Sequence, residues 1–146
     1  MIKIITTIEH RKIENQNYSA WNFKILNDNT EESGFIIDGT IYRAGLKSIY
    51  KALLYCKKNY NNNKIEIHTS SKYAIDCLTK WNKNWANNGW LNAKKQSIAN
   101  KALIIKCLNL LNNLSCKLIY DNNNVDINIE LEKDFKNAIE FVNQIN

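Results

Sequence analysis

Residues 65–90 read IEIHTSSKYAIDCLTKWNKNWANNGW, and the periodicity of this segment changes once along its length. Residues 65–69 alternate apolar and polar side chains, which is typical of a short strand. The spacing that follows predicts a helix from about Ser71 to Trp81. A strand that leads directly into a helix indicates a β-α-β unit, so we expect this strand to be parallel to an earlier one.

Three strands are expected upstream of this segment. Residues 2–8 are mostly β-branched, residues 19–25 alternate in polarity, and residues 34–37 form a third short run. The sequence Asn27-Asp28-Asn29 between the last two has the composition of a turn. Because the connections are short and polar, these strands are predicted to form an antiparallel meander.

Helices are expected over residues 44–60, 97–113 and about 131–143, with a last strand at residues 116–120. In the first helix Leu46, Ile49 and Leu53 recur at three- and four-residue spacing and define an apolar face. No repeat or linker interrupts the chain, so residues 1–146 are predicted to form one α/β domain. Its five-stranded mixed sheet would combine the meander with two parallel strands, flanked by helices.

The composition restricts location and source. The chain has a formal charge of +6 and no apolar run near the roughly 20 residues that a membrane-spanning helix needs. No signal peptide is evident, so we expect an intracellular protein of the cytoplasm or nucleus. Abundant asparagine and isoleucine without proline follow A/T-rich codons, which fits the genome of a large DNA virus, a parasite or an endosymbiont. A viral source would add the virion as a location. The same bias weakens lysine content as a nucleic-acid signal.

The cysteines are interpreted as buried free thiols rather than metal ligands. They form no Cys-x-x-Cys pair, and only His10 and His68 are available as histidine ligands. The four are Cys56, Cys77, Cys107 and Cys116. We therefore expect no metal site and no cofactor.

Four motifs resemble those of the ribonuclease H1 family. Residues 67–73 (IHTSSKY) are similar to its strand-end motif hydrophobic-Tyr-Thr-Asp-Ser-x-aromatic. Residues 81–90 are similar to Trp-x-x-x-Trp-x-x-Asn-Gly-Trp of the basic handle. Residues 40–46 (TIYRAGL) resemble Thr-Asn-x-Arg-Ala-Glu-Leu, and residues 98–103 resemble the start of the next helix. The resemblance implies an RNase H-like fold with a handle-like helical insertion.

The family hydrolyses the RNA strand of an RNA–DNA hybrid with two magnesium ions held by four carboxylates. By resemblance those positions fall on Thr7 (Thr6 is the alternative), Gly45, Ser70 and, with poorer alignment, Ile139. The loop over residues 121–125 also lacks the family's histidine. We therefore expect a catalytically inactive protein, not an enzyme. Nearby acids at Glu9, Glu66 and Glu140, with His68, leave a nuclease with displaced ligands as the least favoured hypothesis.

The resemblance also implies a nucleic-acid-binding surface for a hybrid or duplex. Its predicted residues are Thr40, Arg43, Ser71, Tyr73, Trp81, Lys83, Trp85 and Asn100. Ile41 replaces the family's asparagine that contacts the RNA 2′-hydroxyl, so discrimination between RNA and DNA should weaken. The alternative is a structural or protein-interaction domain, recruited for assembly from an RNase H enzyme, with a protein partner or a homo-oligomer.

Overall fold

A computed structural model of the chain describes residues 1–122 and 129–145. Five strands in this part form a mixed sheet of order β3-β2-β1-β4-β5. They are β1 (Ile2–Ile13), β2 (Gln16–Ile25), β3 (Glu31–Ile37), β4 (Lys64–Thr69) and β5 (Ser115–Tyr120). Strands β1 to β3 pair antiparallel, whereas β4 pairs parallel with β1 and β5 parallel with β4. The predicted fold class is confirmed.

The helices agree with the prediction in order and differ in detail. They are α1 (Ile41–Asn59), α2 (Lys72–Asp76), α3 (Asn82–Asn87), α4 (Lys101–Asn112) and α5 (Ile129–Ile145). The segment predicted as one helix, from about Ser71 to Trp81, forms α2 and then a π-helical turn, Cys77–Trp81, and α3 follows beyond the predicted end. Helix α4 begins later than expected, because Asn100 has a left-handed backbone with φ of 63° that a right-handed helix does not continue.

Strand β1 extends five residues beyond its predicted end. Its hairpin to β2 turns at Glu14 and Asn15, whose φ angles are 51° and 65°. Two successive residues with positive φ match the twist of a tight two-residue hairpin. The polar composition of residues 9–12 conceals this extension, since β-strand patterns are read from apolar alternation.

The sheet is covered on both faces, as β2 illustrates. Trp21, Phe23 and Ile25 are buried in the larger core together with residues of α1 and α4. Tyr18 and Ala20 belong instead to a smaller core with Phe135 and other residues of α5. Because successive side chains of a strand point to opposite faces, α1 and α4 cover one face and α5 covers the other.

This arrangement positions the candidate site beside the carboxyl end of β4. Thr6 of β1 and Thr69 of β4 are partners in the parallel register, and α2 begins three residues after Thr69. No helix in the described ranges combines the length and apolar character needed to cross a bilayer.

Candidate nucleic-acid interface

Three predicted site residues from different elements form a hydrogen-bonded chain. The Arg43 guanidinium donates to Oδ1 of Asn100 at 3.1 Å, and Nδ2 of Asn100 donates to the Tyr73 hydroxyl at 3.2 Å. Thr40 caps α1, since its hydroxyl accepts the backbone N–H of Arg43 at 3.1 Å. The fold therefore brings together Thr40, Arg43, Tyr73 and Asn100, which lie up to 60 residues apart in sequence.

Five aromatic rings continue from this chain as an aromatic row. The row consists of Tyr42, Tyr73, Trp81, Trp85 and Trp90. The successive ring centroids are 5.0, 6.1, 5.8 and 6.2 Å apart, all in tilted or edge-on geometry. Tyr42 and Trp81 are 56% and 40% exposed, whereas the other three are partly buried against the larger core. The row therefore offers two exposed rings held in place by three packed ones.

The exposed Tyr42 was not among the predicted residues. Its ring lies on Tyr73, which comes from another helix, so no local pattern indicates the contact. Trp81 closes the π-helical turn, a distortion that recurs at functional sites because it changes the direction of a side chain. Lys83 is exposed two residues beyond Trp81. Burial raises the pKa of the Tyr73 hydroxyl.

Ser71 differs from the other predicted residues because it is buried. Its hydroxyl accepts the backbone N–H of Ala74 at 3.1 Å and so caps α2. Its own N–H donates to Oγ1 of Thr69 at 3.1 Å. Ser71 thus shapes the start of α2 and does not belong to the exposed surface.

Three of the positions predicted by resemblance to the family's acids lie on β1, directly after β4 and in α1. Thr7 lies on β1, Ser70 directly follows β4, and Gly45 is buried in α1. A Cβ atom on Gly45 would be 2.7 Å from Cβ of Ser71, and it would also overlap the Ser71 hydroxyl. The close packing of α1 against the start of α2 therefore depends on glycine at residue 45.

The fourth position, Ile139, lies elsewhere. Ile139 packs against the smaller core beneath β2 and β3. On α5 the buried carboxylate is Asp134, which is 7% exposed and shares a helix face with Ala138 and Val142 at four-residue spacing. The sequence signal for Asp134 is a carboxylate within an apolar stripe, and the assignment of the fourth position to Ile139 stays a prediction. The predicted loop change over residues 123–125 lies outside the described residues.

Two of the acids considered as substitutes, Glu66 and Glu9, are engaged by other groups. Oε1 of Glu66 lies 2.5 Å from Nε2 of His68, whose Nδ1 lies 3.5 Å from Oδ2 of Asp121. Glu9 forms an ion pair with Arg11 at 3.1 Å. Magnesium requires several oxygen ligands around one point. Within residues 1–122 and 129–145, no group of three or more Asp, Glu, His or Cys side chains could hold a metal ion. These described donors do not fit a two-magnesium site.

The cysteines provide a chemical test of the packing. Cys56, Cys77 and Cys107 are buried and Cys116 is half-buried. Burial raises the thiol pKa to about 11 for Cys56 and Cys77 and to about 12 for the other two.

Since the thiolate is the reactive form, we expect the folded protein at pH 8 to react with less than one equivalent of Ellman's reagent. Four equivalents should react in denaturant, and rapid modification of the folded protein would contradict this packing.

Solved structures share this fold. The PFV RNase H domain superposes with a TM-score of 0.65 at 15% identity, covering 93% of this chain and 90% of that one. A foamy viral protease-reverse transcriptase, solved in complex with an RNA/DNA hybrid, superposes with a TM-score of 0.60 at 16% identity. That match covers 92% of this chain and 18% of the viral one. At these identities the likeness concerns the fold alone.

Curated relatives contradict one prediction. The ribonuclease H of Ehrlichia chaffeensis is 32% identical over 95 residues, which cover 64% of this chain and 63% of that protein. Others also named ribonuclease H match over shorter segments, for example 37% of the protein from Zymomonas mobilis. The chain thus spans about one to two thirds of the length of these relatives. Since they are named for an enzyme, the prediction that this chain is not an enzyme is wrong.

The family itself is established by the extent of the match. Residues 4–122, from β1 through the end of β5, match the RNase H family. This range includes the meander, the β4-α2 junction, the aromatic row and the Arg43–Asn100–Tyr73 chain. The match extends through all five strands of the sheet, so the chain belongs to the RNase H family.

Proposed function

We propose that this protein binds an RNA–DNA hybrid or a nucleic-acid duplex through one surface. That surface consists of the aromatic row, Thr40, Arg43, Lys83 and Asn100. The observation that carries the proposal is the hydrogen-bonded chain from Arg43 through Asn100 to Tyr73. It holds a guanidinium beside exposed aromatic rings, although these residues come from three separate elements.

The two parts of the surface suit two parts of a nucleic acid. A guanidinium forms charge-assisted, often bidentate hydrogen bonds with phosphate oxygens. The faces of Tyr42 and Trp81 are able to stack on bases or sugars, an interaction that tolerates any sequence. Ile41 is 36% exposed beside them and has no hydrogen-bonding group for a 2′-hydroxyl. The surface should therefore distinguish hybrid from DNA duplex only weakly.

Fluorescence anisotropy with labelled hybrid, DNA duplex and single strand tests the proposal. The logarithm of the affinity should fall steeply and linearly with the logarithm of the salt concentration. The reason is that side chains that contact phosphates release counterions from the nucleic acid. No affinity for any of the three at low salt would refute it. A stable oligomer in light scattering, combined with that result, would favour the protein-assembly role instead.

The substitution Arg43→Gln tests the phosphate contact. We expect several-fold weaker binding and a salt slope reduced by about 1, the value for one lost phosphate contact. The matched control is Lys24→Gln, which removes one positive charge from an exposed residue of β2. Equal effects of the two variants would show that net charge, rather than the position of Arg43, determines binding.

The names of the relatives favour a second candidate function, ribonuclease activity on the bound hybrid. Its test is cleavage of a labelled hybrid in Mg²⁺, in Mn²⁺ and in EDTA, with the sample used for binding. The informative variant is Asp134→Asn, because Asp134 is the buried carboxylate on the described part of α5. Metal-dependent cleavage that this variant loses, with binding retained, would support activity. Binding without cleavage would leave the surface as a binding site alone.

A further inference from the structure

Positive and negative charges are separated along this chain. Residues 39–65 and 77–120 contain 13 lysine or arginine residues and no aspartate or glutamate. All 14 acidic residues lie in the remainder, which has seven basic residues and a formal charge of −7. An A/T-rich codon bias raises lysine content throughout a chain, but it does not remove acids from selected segments. The separation therefore reflects a property of the folded surface.

The fold concentrates the acid-free segments on one face of the sheet. They contain α1, α3 and α4, whereas α5 on the opposite face carries acids such as Glu132, Asp134 and Glu140. Within the described residues, the ion pairs of lysine and arginine involve Arg11 and Lys80. Among the described residues, the basic side chains of α1 and α4 form none of these ion pairs, so this helical layer is positive.

A basic strip, defined as Arg43, Lys47, Lys51 and Lys106, crosses this layer. The first three are four residues apart on α1 and so share one side of that helix. Lys106 of α4 lies beside them, with its ammonium 5.9 Å from the ring of Tyr50. Burial, together with the charges of Lys51, Arg43 and Lys106, lowers the pKa of Lys47. These cations are thus close enough to repel one another.

The basic strip begins at the proposed binding surface and leads away from it. Arg43 is hydrogen-bonded to Asn100 at one end, and Lys47 and Lys51 follow toward the carboxyl end of α1. Four residues of helix rise about 6 Å, so the positive charges recur at a regular interval. A ligand with regularly repeated negative charges matches this pattern, and the adjacent exposed rings favour a nucleic acid over an acidic peptide.

We infer that the basic strip binds the sugar–phosphate backbone of a nucleic acid that continues past the aromatic row along α1 and α4. This second contact rests on the proposed function, because the same molecule must occupy both surfaces. It extends the footprint by the length of the strip. The eight residue steps of α1 from Arg43 to Lys51 rise about 12 Å, which corresponds to about three to four nucleotide steps of roughly 3.4 Å.

Probe length separates the two contacts. We would measure anisotropy with hybrids of about 8 and about 24 base pairs, which cover one or both surfaces at roughly 3.4 Å per step. The test variant is Lys47→Gln/Lys51→Gln/Lys106→Gln, which leaves Arg43 in place. The control is Lys24→Gln/Lys133→Gln/Lys136→Gln, which removes the same charge from exposed residues outside the acid-free segments. Thermal unfolding verifies that both variants fold.

For the long probe, the test variant should lower affinity tenfold or more at low salt and reduce the salt slope by about 2 to 3. For the short probe, affinity and slope should be unchanged, and the control should affect both probes equally. Lys106→Gln alone, at an exposed residue, should reduce the long-probe slope by about 0.9.

An unchanged slope for the long probe would overturn the inference and leave the proposed function intact. Equal losses in the test and control variants would also overturn it, since net charge would then be responsible. Displacement of the long probe by a poly-glutamate peptide as effectively as by unlabelled hybrid of equal total charge would also overturn the inference. The strip would then bind any polyanion rather than a nucleic acid. If the wild-type protein bound neither probe, the proposed function would fail first.

Discussion

Gly45→Ala is expected to destabilise the protein by up to about 2 kcal/mol, although alanine is the better helix former. The added Cβ would lie 2.7 Å from Cβ of Ser71 and overlap its hydroxyl, where both residues are buried. Overpacking of this kind costs about 1–3 kcal/mol, against a gain of about 1 kcal/mol in helix propensity. Larger side chains at residue 45 should destabilise further. Urea unfolding monitored by circular dichroism measures the difference.

A double-mutant cycle identifies the cause. Ser71→Gly removes the atoms that the new methyl group would contact, and it also removes the side-chain cap of α2 at a cost of roughly a few tenths of a kcal/mol. If the contact is responsible, the Gly45→Ala/Ser71→Gly variant should lose less stability than the two single variants combined. Strict additivity, or a stabilised Gly45→Ala protein, would show that α1 and α2 separate easily at this point.

Trp81→Ala/Lys83→Ala should weaken hybrid binding by about tenfold or more, because stacking of an aromatic ring on a base is worth about 1–3 kcal/mol. Trp81 carries most of this effect, since its ring is exposed and contacts Tyr73 and Trp85 on either side. The loss of the Lys83 charge adds a salt-dependent part to the loss of affinity. Anisotropy at two salt concentrations separates the two contributions.

The matched control is Phe141→Ala/Lys136→Ala on α5. Phe141 is 48% exposed, close to the value for Trp81, and Lys136 is an exposed lysine on the opposite face of the sheet. Both double variants should retain cooperative thermal unfolding. Equal loss of binding in the two, or unchanged binding in the Trp81 variant, would rule out the aromatic row as the contact surface.

Local sequence patterns were sufficient to predict the strands and helices but not the turns and helix boundaries that connect them. The apolar periodicities predicted all five strands and the order of the helices, since each depends on residues close in sequence. They missed the hairpin at Glu14 and Asn15, the π-helical turn before Trp81 and the late start of α4 after Asn100. Each of these depends on a backbone angle or a hydrogen-bond shift that an apolar pattern does not encode.

Within the candidate site, the resemblance to the RNase H family predicted which residues lie together but not whether each is buried or exposed. Tyr73, Trp81 and Asn100 were predicted and do lie together, whereas Ser71 is a buried helix cap. The assignment of the acidic position of α5 to Ile139 stays a prediction, and among the described side chains of that helix Asp134 is a buried carboxylate. The predicted viral source stays a prediction. The prediction of a non-enzyme, drawn from residue types at Thr7, Gly45 and Ser70, is contradicted by relatives named ribonuclease H.

The sequence of residues 65–90 by itself determined the strand-to-helix junction and the tryptophan spacing, and with them the family. Those features are local, because strand alternation and helix spacing act over a few residues. Only the tertiary structure decided that Arg43, Asn100 and Tyr73 are bonded, that Tyr42 is exposed beside them, and that the acid-free segments share one face. These properties arise when segments tens of residues apart pack together, and that packing determines which side chains remain accessible to a ligand.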